Sequence, residues 1–271
     1  MTATDSLSVW LRVRREVDWR HSPALQRIPA GRDGFRSWCE GPVRRRDPMR
    51  AERLLAAHTL ARDNAARQTP LNFARLARWQ REVLAATGAP FRASDAYAKA
   101  GRERYGLTPH TQADFDSCLN ETTDPDIPLA ARAARAYLDV AFFHPFTDGN
   151  ARAALLTLVH VLAREDIVLP EVGPLQTTRY ADDPAGAADL ATLIGALNRR
   201  RRPAPAREHP PLLVGTAPRS ARRHNPLTGS ASPTYSPGTR QGPVPGLSQT
   251  GLSAPRMPAG AADSGQRTEC S

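Results

Sequence analysis

Between residues 47 and 198 an N-cap type residue stands directly before proline ahead of a helical pattern in Asp47-Pro48, Thr69-Pro70, Thr108-Pro109 and Asp183-Pro184. An acceptor at the N-cap satisfies an orphan backbone N–H, and proline is preorganised for the first helical position, so each pair announces a helix. Apolar residues at helical spacing follow. Leu54, Leu55, His58 and Ala61 run toward Ala66; Phe73, Leu76, Val83 and Leu84 form a second stripe that stops near Gly88. A further helix is expected from about Leu129 through Tyr137, Leu138, Ala141 and Phe142 to His144-Pro145, where the proline disfavours helical geometry at His144. Another begins near Asn150 and runs through Leu155, Leu158, Val159 and Leu162, and the last covers Ala185 to Asn198. The expected fold class is all-α, a helical bundle. Phe91 to Gly106 breaks this pattern and reads as a hairpin or an irregular loop. Before residue 47 only a short helix around Val9 to Val17 is expected.

The formal net charge of +10 invites a nucleic-acid reading, which the distribution of charge argues against. Residues 1–50 carry +5, residues 51–198 carry −3 and residues 199–271 carry +8. The basic flanks therefore stand apart from the helical core, and no specific nucleic-acid groove is expected. From Pro203 to Ser271 lie 12 of the 25 prolines, with 8 glycines, 8 serines and Tyr235 as the single aromatic. Such a segment buries too little apolar surface to offset its ordering entropy, which predicts a disordered tail. The expected organisation is a basic N-terminal segment over 1–46, a helical domain over 47–202 and the tail over 203–271. Cys39, Cys118 and Cys270 form no CxxC pair, so no disulfide framework is indicated. No run of about 18 apolar residues occurs, and a cytoplasmic protein with no membrane partner is expected.

The junction between the two central helices reads His144-Pro145-Phe146-Thr147-Asp148-Gly149-Asn150-Ala151-Arg152. A helix N-terminus with an arginine in its first turn makes an anion site, and a nearby carboxylate suits Mg²⁺ bridging phosphate oxygens. A histidine beside it suits proton removal from a hydroxyl at neutral pH. The same residues also make an ordinary capped turn, with Phe146 as a packing residue. His58, His110 and His160 lack partners at metal spacing. Arg179 and Tyr180 are candidates to border a nucleotide base, and Trp10, Trp19, Trp38 and Trp79 are expected in the core or an interface.

Taken together, His144, Phe146, Asp148, Gly149, Asn150 and Arg152 fall in register with HxFx[DE]GNGRxxR, so the chain resembles the Fic/Doc (Fido domain) family in a degenerate form. The resemblance implies a Fido-type helical bundle with a small β-hairpin flap. It further implies an enzyme that moves part of a nucleotide, most often AMP from ATP, onto a hydroxyl side chain of a target protein. By position, His144 would be the general base, Asp148 the Mg²⁺ ligand, and Gly149, Asn150, Ala151 and Arg152 the phosphate cradle. Residues 91–106 would be the flap on which the protein substrate docks. Two departures stand out. Ala151 replaces the second family glycine, and Leu155 the second family arginine, which in much of the family holds the γ-phosphate and pairs with the glutamate of an inhibitory helix, [ST]xxxE[GN]. No such helix motif occurs here, which leaves a separate inhibitory partner open. Doc-type members share both departures and are kinases. The rival readings are thus a Doc-like phosphotransferase and a nucleotide-binding module without catalysis.

Overall fold

The computed structural model describes residues 4–27 and 32–200, so the expected disordered tail lies outside the described residues. Helix α1 (Ser6–Glu16) opens the chain, capped by Asp5, and a 3-10 turn follows at Trp19–His21. Helix α2 (Gly34–Trp38), a π turn (Cys39–Val43) and α3 (Arg44–Arg46) lead into α4 (Pro48–Ala66) and α5 (Phe73–Leu84). Strands β1 (Ala96–Ala98) and β2 (Glu103–Tyr105) form an antiparallel hairpin with Tyr97 opposite Arg104. Helices α6 (Thr111–Asn120), α7 (Leu129–Phe143), α8 (Asn150–Ala163) and α9 (Pro184–Arg199) complete the bundle. The result is mostly helical with one small two-stranded sheet, as the resemblance implies.

Helix α7 is the centre of the core. Ala130, Ala131, Ala133, Ala134 and Ala136 are buried together with Leu138, Val140, Phe142 and Phe143, so it is apolar nearly all round and small enough for close approach of its neighbours. It packs against α8, α9, α6 and α1, while α4 covers α5 and α8. One charge sits inside this apolar helix: Asp139, 0% exposed. Its Oδ1 accepts from Trp10 Nε1 at 2.9 Å and from Arg14 Nε at 2.8 Å, and its Oδ2 accepts from Arg14 Nη2 at 3.0 Å. Arg14 also donates to Glu121 at 3.0 Å. The N-terminal helix is thereby tied into the core by a fully hydrogen-bonded ion pair, the condition under which a buried charge is tolerated.

Two of the four helix starts fall where the Pro pairs predict. Asp47 accepts from Arg50 N at 2.9 Å and Asp183 from Gly186 N at 2.8 Å. At the other two pairs the helix starts later. The Thr69 hydroxyl instead donates to Asn64 O at 2.9 Å, closing α4, and Asn72 caps α5 by accepting from Arg75 N at 2.9 Å. The Thr108 hydroxyl pairs with that of Thr111 at 3.1 Å, and α6 begins at Thr111 without a side-chain cap. Helix α5 also ends before Gly88: Ala85 takes the left-handed terminating position, with φ 51°. Cys39 and Cys118 are free and buried, and burial pushes both thiols up to about 12. Among the described residues no helix is long and apolar enough to cross a membrane.

Candidate active site

Helix α7 cannot continue through Pro145, and His144 ends it in the left-handed region at φ 49°. Histidine tolerates that conformation better than β-branched residues do. The turn brings His144 Nδ1 to 2.7 Å from Ala141 O. A carbonyl only accepts, so Nδ1 carries the proton and Nε2 keeps its lone pair. Burial lowers the imidazole pKa below its usual value; the Ala141 carbonyl and Glu103 oppose this, whereas Arg92 and Lys99 reinforce it. The ring is therefore neutral near pH 7, a state able to take a proton.

The loop that follows is held from several sides. Asn150 is buried, and its side-chain amide clasps Phe146 on both backbone groups: Phe146 N donates to Oδ1 at 3.0 Å and Nδ2 donates to Phe146 O at 2.7 Å. The Phe146 ring packs on Phe73, with centroids 5.5 Å apart. Gln80, fully buried on α5, donates to Asp148 O at 2.6 Å. Gly149 adopts φ 77°, and a Cβ there would lie 2.4 Å from Gln80 Nε2. Gly149→Ala should therefore strain the loop by about 1–3 kcal/mol. Chemical denaturation read beside nucleotide titration checks this; an alanine variant as stable as wild type with full nucleotide affinity would contradict it.

Asp148 is 74% exposed at its side chain. Its Oδ2 accepts from Arg152 Nη2 at 3.0 Å and its Oδ1 from Gly149 N at 2.6 Å. No side chain caps α8, and the N–H groups of Asn150 and Ala151 are left without a partner among the described residues. They open, with Arg152, onto a cleft of about 550 Å³ that runs between His144 and the loop on one side and Arg92, Ser94, Asp95, Ala96 and Tyr97 on the other. All six residues expected at the site, His144, Asp148, Gly149, Asn150, Ala151 and Arg152, line this one cleft. Among the described residues no three His, Cys, Asp or Glu side chains cluster as a metal cage.

Several details differ from the sequence reading. The Asn150 side chain is spent on Phe146, so only its backbone N–H is free for a ligand. Ala151 lies in the exposed first turn of α8 outside the positive-φ positions, where a methyl group is tolerated. Leu155, at the position of the family's second arginine, is 1% exposed within the core. Arg179 donates to Gly186 O at 2.7 Å and Tyr180 stands 4.3 Å from Lys99 Nζ; neither lines the cleft. His160 is buried against Ala61 O at 3.0 Å, and His58 stacks on Phe35. Trp10, Trp19 and Trp79 are core residues.

Three residues that sequence reasoning did not single out support the site. Gln80 is one, and its signal was a polar residue on the buried stripe of Leu76 and Val83. Arg92 is buried and donates to Phe143 O at 3.2 Å, Ser94 O at 2.6 Å and Gly106 O at 2.7 Å, which ties the end of α7 to both ends of the hairpin. Tyr105 stacks on the His144 ring.

Residues 70–162 match the family model described as the Fic/DOC family. Among solved structures the chain is similar to IbpAFic2 covalently tethered to Cdc42, at 11% identity over 70% of this chain and 70% of that chain, with a TM-score of 0.47. It is also similar to IbpAFic2 alone, at 13% identity over 72% and 69% with a TM-score of 0.46. Fic-1 from C. elegans aligns at 16% identity over 71% and 67%, with a TM-score of 0.39. None of the curated proteins matches the chain significantly.

Proposed function

The chain carries a Fic/DOC-family segment at residues 70–162, and we propose on that premise that it is a protein AMPylase, an adenylyltransferase moving AMP from ATP to a hydroxyl side chain of a target protein. The observation that carries this reading is the pairing of a neutral His144, its Nδ1 committed to Ala141, with the uncapped start of α8 across one cleft. In the reaction His144 Nε2 takes the proton of the target hydroxyl as its oxygen attacks the α-phosphorus. An oxygen–phosphorus bond to the target forms, the bond from the α-phosphorus to the bridging oxygen breaks, and pyrophosphate leaves. The N–H groups of Asn150 and Ala151 and the guanidinium of Arg152 hold the phosphates. The target segment adds to the open edge of β1 beside Tyr97, which is 62% exposed, and so presents its hydroxyl.

A single exposed carboxylate at the start of α8 suits Mg²⁺, which is commonly held by one or two carboxylates plus substrate phosphates. Asp148 would hold it, and the ion would supply neutralisation of phosphate charge. Arg152 then exchanges its bond to Asp148 for one to phosphate.

A Doc-like phosphotransferase is the second reading, favoured by leucine at position 155, which leaves the γ-phosphate without the family's second arginine. A binding-only module has no use for a neutral imidazole with one free nitrogen. Incubation of the protein with Mg²⁺, target extract and ATP labelled at the α- or γ-phosphorus tests the choice. Label entering protein from the α position is expected; label entering from the γ position alone would assign phosphotransfer.

The lowered pKa of His144 sets the pH dependence. The neutral ring is the competent form, so activity is kept as pH falls through about 6.5, the ordinary histidine value, and is lost only below it. A pH–rate profile whose acid limb is centred at or above about 6.5 would contradict the assignment.

A further inference from the structure

The hairpin touches the proposed base as well as lining the cleft. Tyr105 of β2, 1% exposed, lies flat on the His144 imidazole with ring centroids 4.7 Å apart and planes within 12°. Its other ring neighbour is Phe142, at 6.4 Å. The Tyr105 hydroxyl donates to Glu103 Oε2, and the same carboxylate oxygen receives the Lys99 ammonium at 2.6 Å. Lys99 also donates to Arg179 O and sits over the Tyr180 ring at 4.3 Å. Glu103 Oε1 reaches Ala181 N at 3.5 Å. A continuous chain of contacts thus runs from the segment around residues 179–181, through the hairpin, to the face of the imidazole.

Backbone geometry marks the same place. The hairpin turn runs through Lys99, Ala100 and Gly101 at φ 54°, 57° and 82°, three consecutive left-handed residues of which two carry a Cβ. Such strain persists only where surrounding contacts hold it; here Gly101 N donates to Ala98 O at 3.0 Å and the Lys99 ammonium is held by Glu103 and Arg179 O. Burial, and then the Glu103 carboxylate, push the Tyr105 phenol well above its usual pKa, so the hydroxyl stays protonated and remains a donor.

We propose that Tyr105 is a positioning residue for His144: stacked on the imidazole and tethered through Glu103 and Lys99, it holds the ring in the orientation that the Ala141 hydrogen bond alone leaves free to tilt. The hairpin expected to receive the target segment then also sets the geometry of the proton acceptor. This inference rests on the reading of His144 as the base. A small misplacement of a reacting group is enough to slow a reaction roughly 100-fold, which is the scale of effect such a residue commands.

The test uses the full chain with ¹⁵N-labelled histidine, reading the His144 ring signals in the absence of nucleotide and then kcat, KM and ATP affinity. Tyr105→Leu is expected to abolish the ring-current shift of the His144 signals and to lower kcat by roughly 10- to 100-fold with KM for ATP nearly unchanged. Tyr105→Phe keeps the stacked ring and is expected to restore both the shift and most of kcat. His144 signals that are the same in Tyr105→Leu as in wild type would overturn the proposal, as would an equal loss of kcat in Tyr105→Phe. Should Tyr105→Leu fail to fold, Tyr105→Met, which also removes the stacked aromatic ring but keeps more of its volume, is read in the same way; unchanged His144 signals and kcat there would overturn the proposal. If the signals move as expected while His144→Ala still transfers at the wild-type rate, the positioning stands and the base assignment fails.

Discussion

His144→Ala is expected to lower group transfer by about 10²–10⁴, the usual contribution of a positioned general base, while ATP affinity stays within about twofold of wild type. The separation follows from where the groups sit. The imidazole belongs to the end of α7, whereas the phosphate contacts come from the first turn of α8. The loop between them is braced by Asn150 on Phe146 and by Gln80 on Asp148, neither of which involves the histidine side chain. Asp148→Ala should show the converse, a loss confined to the Mg²⁺-dependent part of nucleotide binding. Parallel calorimetric titration and single-turnover transfer measure both quantities. A His144→Ala variant that transfers at the wild-type rate would remove the base from the scheme.

Asp139→Ala should cost about 3–5 kcal/mol of stability, because it removes the fully buried counter-ion of the buried Arg14 guanidinium and leaves it only the part-exposed Glu121. Asp139 is 0% exposed and accepts three hydrogen bonds, two from Arg14 and one from Trp10. Replacing both charges with apolar residues of similar volume should recover much of the loss, since a buried ion pair taken as a whole is often close to neutral against such a swap. Urea denaturation of the single and double variants checks this. A loss below about 1 kcal/mol for Asp139→Ala would mean that water reaches Arg14.

The long helices were legible because each announces itself locally: an apolar stripe at helical spacing, a capping side chain, a proline that ends it. Asp47 and Asp183 cap where their Pro pairs place them, and Pro145 ends α7. The starts at Thr69 and Thr108 shifted because each hydroxyl found a nearer partner, Asn64 O for the first and the Thr111 hydroxyl for the second. Competition between equivalent acceptors within a few residues is decided by backbone path, which local pattern does not contain. The motif residues were legible as a linear run, but their division of labour was not. Asn150 reads as a ligand in one dimension, yet its amide is the brace of the loop. Leu155 stands where the family has its second arginine, and that its helix turns it into the core is seen only in the fold. The supporting residues Gln80, Arg92 and Tyr105 reach the loop from 68, 51 and 39 positions away or thereabouts, and such contacts exist only once the bundle has closed.

On the proposed reading, His144 and the start of α8 together place AMP on a protein hydroxyl. Intact-mass measurement of cellular proteins after expressing the wild type and His144→Ala side by side tests it most directly. The expected result is a protein that gains the mass of one adenylyl group with the wild type and gains nothing with His144→Ala. Addition of a phosphate mass instead, or the same adenylyl addition with both, would contradict it.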